Sequence, residues 1–227
     1  FDAIGNERGS IVAIDPNNGE VLAMVSKPSY DPNGFTQGLE ANHYQNLQKK
    51  PGNPMVNRAI HGQYPQGSTI KPFMAMAGLE SGVINQATTI DDPGHFQIPH
   101  VDHRYRDWLP KGHGRVNAAK SLIVSCDVFY YQLAYKLGMQ RMSSMFDSFG
   151  FGKPTGIEMP NENLGIVPTP DWKYANKGER WYTGDTILSG IGQGYMLSTP
   201  LQLAHATAIF AAKGKNFKPT LIHETID

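Results

Sequence analysis

The sequence has a single cysteine, Cys126, so no disulfide can form within the chain. It has no excess of either charge: Lys and Arg total 20, and so do Asp and Glu. That balance removes the global field that gathers nucleic acid or an anionic membrane surface. No apolar run reaches the length of a membrane span, and no secretory-leader pattern is visible. Internal repeats and low-complexity tracts are also missing. What remains is a chain of 227 residues, long enough for one large domain or two small ones with a proper core. Its opening, FDAIGNERGSIVAIDP, reads as the middle of a longer protein, and any anchor is expected outside it.

Several elements are legible. Gly9–Ser26 carries two runs rich in Val, Ile and Leu around a DPNNG turn, the pattern of a β-hairpin. Residues 28–67 are rich in Pro, Gly, Asn and Gln, an irregular excursion with one short helix near Asn42–Leu47. Residues 91–116 form a second irregular stretch, crowded with His and Asp. Asn117–Gly138 reads as a long helical region, QRMSSMFDSFG as a further helix, and the stretch up to about Gly184 as a polar loop. A Gly-rich turn then leads to a helix from Thr199.

Ser68 and Lys71 begin an apolar segment, QGSTIKPFMAMAGLESG, whose periodicity suits a buried helix. Gly67 and Ser68 mark its start, Pro72 is tolerated in a first turn, and Gly82 suits its end. Three residues apart, the Ser68 hydroxyl and Lys71 amine share a helix face. Serine is a poor nucleophile until an adjacent base takes its proton. A lysine is such a base only as the neutral amine, which burial and a nearby helix N-terminus favour. Taken alone, the pair equally describes a capping serine beside a solvated lysine. A second polar pair, Ser125 and Asp127, lies among Leu122, Ile123, Val124, Val128 and Phe129, where burial without partners is expensive. Its hydroxyl can relay a proton and its carboxylate can hold a lysine, or the pair can mark a kink in a core helix.

Ser-x-x-Lys followed by Ser-x-Asp is similar to the signature of the penicillin-recognising serine acyltransferases. The framing segments NRAIHGQYPQGSTIKPF, YRDW, SCDVFYYQLAYKLG, FGFGKPTGIEMP and GIGQGYMLSTPLQLAHA resemble class B penicillin-binding proteins of the rod-type elongation group, through essentially the whole chain. The resemblance implies an α/β penicillin-binding transpeptidase (β-lactamase-like) fold, with an antiparallel sheet flanked by helices. Residues 1–227 would be part of a transpeptidase domain whose anchor, pedestal and final strands lie elsewhere. It implies a peptidoglycan D,D-transpeptidase on the periplasmic face of the bacterial inner membrane, acylated by β-lactams. Partners would be stem peptides, an elongation-complex glycosyltransferase and scaffold proteins, with no nucleic acid. Ser68 would be the nucleophile, Lys71 the general base, and Ser125 the proton carrier to the departing amine. Asp127 stands where many relatives have asparagine, an added negative charge beside Lys71.

The family's third motif, Lys-Thr-Gly or Lys-Ser-Gly, is missing; the nearest match, Lys153-Pro154-Thr155-Gly156, has an inserted proline. In the family that strand supplies one of two oxyanion donors, the other being the Ser68 N–H. One such donor contributes about 3–4 kcal/mol to transition-state stabilisation in hydrolytic sites, so the chain alone is expected to be a weak enzyme. Two rival readings follow. A β-lactamase or β-lactam sensor needs a base over the ester; Glu158 and Glu162 lie in a plausible region, but no motif supports either. A non-catalytic acyltransferase-like binding domain would explain the missing motif. By spacing, Cys126 near His95, His100, His103 and His113 fits a buried thiol beside a solvated loop, since no CxxC or HExxH pattern is present. The resemblance implies instead a structural zinc on Asp92, Asp107, His113 and Cys126, not needed for the chemistry.

Overall fold

The computed structural model describes residues 2–5, 7–36 and 41–223; residues 1, 6, 37–40 and 224–227 of the expected 1–227 domain lie outside that description. In chain order the elements are β1 (Gly9–Ile14), β2 (Val21–Lys27), α1 (Asn33–Thr36), α2 (Ala41–Lys49) and α3 (Arg58–His61). A 3₁₀ turn (Gly67–Ile70) and α4 (Lys71–Glu80) follow, then β3 (Thr89–Asp92), β4 (His95–Gln97), β5 (Arg104–Arg106) and β6 (Gly114–Asn117). The remainder is α5 (Ala118–Ile123), α6 (Asp127–Ser148), α7 (Pro170–Lys177), α8 (Thr183–Ser189) and α9 (Pro200–Ala211). Among the described residues no helix is long and apolar enough to cross a membrane. The chain divides into two compact units.

The first unit comprises residues 1–64, 149–165 and 198–227. Strands β1 and β2 pair antiparallel from Gly9↔Lys27 to Ala13↔Ala23, with a register shift beside Ile14. The turn between them closes because the Asp15 carboxylate accepts from the Asn17 N–H at 2.8 Å, while Gly19 takes φ 85° against the Lys218 carbonyl. Val12, Ile14, Val21 and Met24 pack on a core of Ala59, Ile60, Ile157 and Leu201. Helix α9 starts where the sequence places it: Thr199 caps it and Gln202 closes a reciprocal capping box. The Gln202 amide also donates to the carbonyls of Lys153 and Leu164, at 2.8 and 2.7 Å.

The second unit, residues 65–148 and 166–197, carries Ser68 and Lys71 together with Ser125 and Asp127. Its core is α4 against α6, with Phe73, Met74, Ala77, Tyr130, Leu133 and Ala134 buried. A Cβ on Gly78 would lie 2.8 Å from Ile84 and 2.9 Å from Leu133, so the helices come this close only because Gly78 has no side chain. Helix α6 is broken at Gly138 (φ 72°, ψ 161°), which matches the two helical runs read from the sequence.

Four readings need correction. Among the described residues of 28–67 there are three short helices, α1, α2 and α3, rather than one. The 91–116 stretch is not irregular: β3 pairs with β6 and β4 with β5, as two antiparallel ribbons too short for periodicity to reveal. The helix expected over Asn117–Gly138 is interrupted at residues 124–126. The loop to about Gly184 contains α7, and α8 begins at its end. Here Thr169 as N-cap, Pro170 behind it and left-handed Gly178 at the end were readable start and stop signals in a polar segment.

Candidate functional site

Ser68 sits inside the 3₁₀ turn rather than capping a helix; α4 proper begins at Lys71, and Pro72 in its first turn removes an N–H that would have no partner anyway. Gly67, at φ 58°, makes the sharp approach to Ser68. This start buries Lys71, which is 1% exposed with its Nζ under the α6 N-terminus. Nζ donates to the Ser125 carbonyl at 2.8 Å, to Ser125 Oγ at 3.1 Å and to Asp127 Oδ1 at 2.6 Å. Three donors meet three acceptors, the full complement of an ammonium. The Tyr130 ring centroid lies 5.4 Å from Nζ, a cation–π contact. Burial pushes the Tyr130 phenol up to about 12, so that ring stays neutral.

The break between α5 and α6 puts Ser125 in the left-handed region, at φ 52°. A non-glycine residue is held there only when its surroundings demand it. The demand is visible: Ser125 Oγ bridges Lys71 Nζ and Ser68 Oγ, the latter at 2.9 Å. The shared helix face suggested that Ser68 and Lys71 meet directly; instead each is hydrogen-bonded to Ser125 Oγ. Ser125 connects them.

Asp92, Asp107, His113 and Cys126 also converge, each offering a ligand atom within 4.8 Å of the others. Thr89–Asp92 pairing with Gly114–Asn117 brings Asp92 to His113, and the helix break delivers Cys126. His113 Nδ1 lies 2.8 Å from Asp92 Oδ2 and 3.5 Å from Asp107 Oδ1, and Cys126 Sγ lies 3.3 Å from Asp92 Oδ2. Tetrahedral zinc with ordinary bond lengths sets its ligand atoms about 3.3–3.8 Å apart, which this spacing approaches. Both aspartate side chains are fully buried and face a single imidazole. Both carboxylates accept hydrogen bonds, but among the described residues the imidazole is the one side chain bonded to them that can carry positive charge. The two oxygens, one nitrogen and one sulfur make a donor set that fits a divalent metal.

Burial raises the Asp92 carboxyl, but hydrogen bonds from Gly94, the His113 ring and N–H, and Cys126 outweigh it and hold the group below the ordinary range. The Cys126 thiol is pushed up, by burial first; the Phe129 N–H opposes this, and the Asp92 and Asp107 carboxylates add to it. His95, His100 and His103 lie outside the cluster; His103 packs edge-on against Tyr105 instead. Asp107 has a second task that the sequence did not reveal. Its Oδ2 accepts from the N–H groups of Asp127 and Val128, at 2.7 and 3.1 Å, and so caps α6. The same carboxylate thus touches the His113 ring and the backbone of Asp127.

Glu158 and Glu162 belong to the first unit and have partners there. Glu158 pairs with Lys218 and accepts from the Leu221 N–H, while Glu162 accepts from the Thr155 N–H.

The family model described as the penicillin binding protein transpeptidase domain matches residues 9–227. A curated relative from Acinetobacter baumannii, peptidoglycan D,D-transpeptidase MrdA, is 46% identical over 222 residues, covering 98% of this chain and 33% of its own length. Among solved structures, Pseudomonas aeruginosa PBP2 in complex with WCK 5153 superposes with a TM-score of 0.94 at 44% identity, covering 96% of this chain and 48% of that one. Helicobacter pylori PBP2 in its complex with MreC gives 0.91 at 37% identity, over 96% and 41% of the two chains. The chain spans about a third of the length of the curated relatives it matches.

Proposed function

Since the chain belongs to the penicillin-binding protein transpeptidase family, and its fold is the penicillin-binding transpeptidase fold, we propose that it supplies the serine acylation site of a peptidoglycan D,D-transpeptidase. The observation that carries this reading is the bonded series Ser68–Ser125–Lys71–Asp127, in one unit and around a buried lysine.

Ser68 Oγ attacks the penultimate D-alanine carbonyl of a stem pentapeptide. An ester forms, the bond to the terminal D-alanine breaks, and the Ser68 proton ends on the departing amine. Ser125 is the only bridge between Ser68 and Lys71 among the described residues, so the proton travels through its hydroxyl. Lys71 serves as the base for Ser68 only as the neutral amine, its extra proton having passed to solvent before the attack. Asp127 anchors the Lys71 head while this occurs. An amine of a neighbouring stem then attacks the ester, forming the cross-link and returning a proton to Ser68 Oγ. A β-lactam presents a strained amide to the same serine, and its leaving group stays tethered.

We assign the Asp92, Asp107, His113 and Cys126 cluster to zinc in a structural role, with all four positions filled by protein. When bound, the ion would neutralise the buried carboxylates and thiolate. Through Asp107 and Cys126 the cluster then holds the segment that presents Ser125 and Asp127. The domain is read as part of the family's transpeptidase domain over 1–227, working at the periplasmic face of the inner membrane. A scaffold protein and a glycosyltransferase are its expected partners; the Helicobacter pylori PBP2 complex with MreC supports the first. The hydrolase reading loses its candidate bases, because Glu158 and Glu162 are committed elsewhere.

Incubation of the protein with a labelled penicillin, followed by peptide mass mapping, tests this. A durable adduct is expected on the peptide containing Ser68 and none in Ser68→Ala. An adduct on another residue refutes the assignment, rapid release of the label favours a hydrolase, and no adduct favours a binding domain.

A further inference from the structure

The turn that carries the nucleophile is braced by a backbone-to-backbone contact. Gly67 donates its N–H to the Gly192 carbonyl at 3.0 Å. A Cβ on Gly192 would lie 2.5 Å from the Gly67 oxygen and 2.7 Å from its nitrogen. Neither atom belongs to a flexible side chain that could swing away, so Gly192 can carry no side chain unless Gly67 moves. Gly194 provides a contrast within the same turn. Its φ of 71° matches the 68° of Gly192, yet its Cβ would meet only Leu188, at 3.4 Å. The two glycines share a backbone demand, and only one of them touches the nucleophile turn.

The brace is itself fixed. Gly192 and Gln193 donate to the carbonyls of Ser189 and Leu188, which ties the turn to the end of α8. Gly190 packs so closely on α6 that a Cβ there would lie 2.5 Å from that of Ala134. Asp185, in the first turn of α8, accepts from the buried Lys173 at 2.8 Å. On the far side Tyr195 packs on Trp172, and Leu197 pairs with Ile166.

We propose that Gly192 is a positioning residue: its carbonyl and bare Cα, set against Gly67, fix where the Ser68 hydroxyl and N–H stand relative to the scissile carbonyl. The proposal rests on Ser68 being the acylated residue. Its consequence is a rate effect without a binding effect, because attack geometry depends on displacements of about 1 Å while substrate contacts made elsewhere do not.

The test uses the full protein that carries this chain. Stopped-flow measurement with a fluorescent penicillin separates the pre-acylation dissociation constant from the acylation rate constant. Gly192→Ala is expected to lower the rate constant by about 10–100-fold with the dissociation constant within about twofold. Gly194→Ala should melt earlier but acylate within about twofold of wild type, since it adds backbone strain without touching Gly67. Equal slowing in both variants, or an effect of Gly192→Ala confined to binding, overturns the proposal. Amide exchange at Gly67 in the unaltered protein gives a second reading that needs no folded variant. Exchange far slower than for an exposed amide is expected, and free exchange overturns the brace. Slow exchange at Gly67 with no label on Ser68 would refute the functional assignment and leave the brace without a catalytic purpose.

Discussion

Replacing Asp127 with alanine removes one acceptor from an ammonium that has almost no access to water. The Lys71 side chain is 2% exposed and Asp127 17%, with 2.6 Å between Nζ and Oδ1. At an effective dielectric constant near 20, the gross attraction at that distance is about 6 kcal/mol. Desolvation of the two ions consumes much of it, and breaking a buried pair from one side costs about 3–5 kcal/mol. Water reaches Asp127, which places the expected loss near the lower end, about 3 kcal/mol. For a protein of this size that lowers the melting temperature by about 6–12 °C. Asp127→Asn should lose clearly less, because its amide oxygen still accepts from Nζ. The decisive measurement is a double-mutant cycle with Lys71→Ala, followed by calorimetry. The double variant has no stranded charge, so its loss should fall short of the sum of the single losses by about 2 kcal/mol. Additivity within about 0.5 kcal/mol would mean that the two groups do not support one another, and Asp127 could not be the anchor of the Lys71 head.

Lys71→Arg keeps the positive charge but cannot give up a proton, so penicillin acylation should fall by about 100-fold or more in a gel or stopped-flow assay; near-normal rates would remove lysine as the base. Protein purified without chelator should carry about one zinc per chain by elemental analysis, and Cys126→Ser should lower both metal content and melting temperature; well under one zinc per chain would end that assignment. The Asp92 carboxyl is held below its unfolded value, so its stabilisation is complete above about pH 4 and is lost as acid titrates the group through its lower folded value. Asp92→Asn should therefore flatten the acid limb of the stability profile in urea titrations, and an unchanged limb would show that the carboxylate is not part of it.

The residue types of the site were legible because each lies in a local pattern. Ser68 and Lys71 announce themselves by spacing, Ser125 and Asp127 by being polar in an apolar run, and α9 by its Thr-Pro start. The likeness to a family, not spacing, singled out Asp92, Asp107 and His113 from their crowded neighbours, since ligands drawn from one strand end and two loop positions follow no fixed interval. What the residues do to one another was not legible. Whether Lys71 touches Ser68 or reaches it through Ser125 depends on how near α6 comes to α4, and that is decided by the missing side chain of Gly78 against Leu133. Asp107 caps a helix 20 residues further along only because that helix restarts at Asp127. Gly192 meets Gly67 across more than a hundred residues of chain, a contact that carries no local mark. Local propensity and motif spacing are properties of neighbours in sequence, so they specified the parts. Close packing among distant segments gave those parts their distances, and the chemistry depends on the distances.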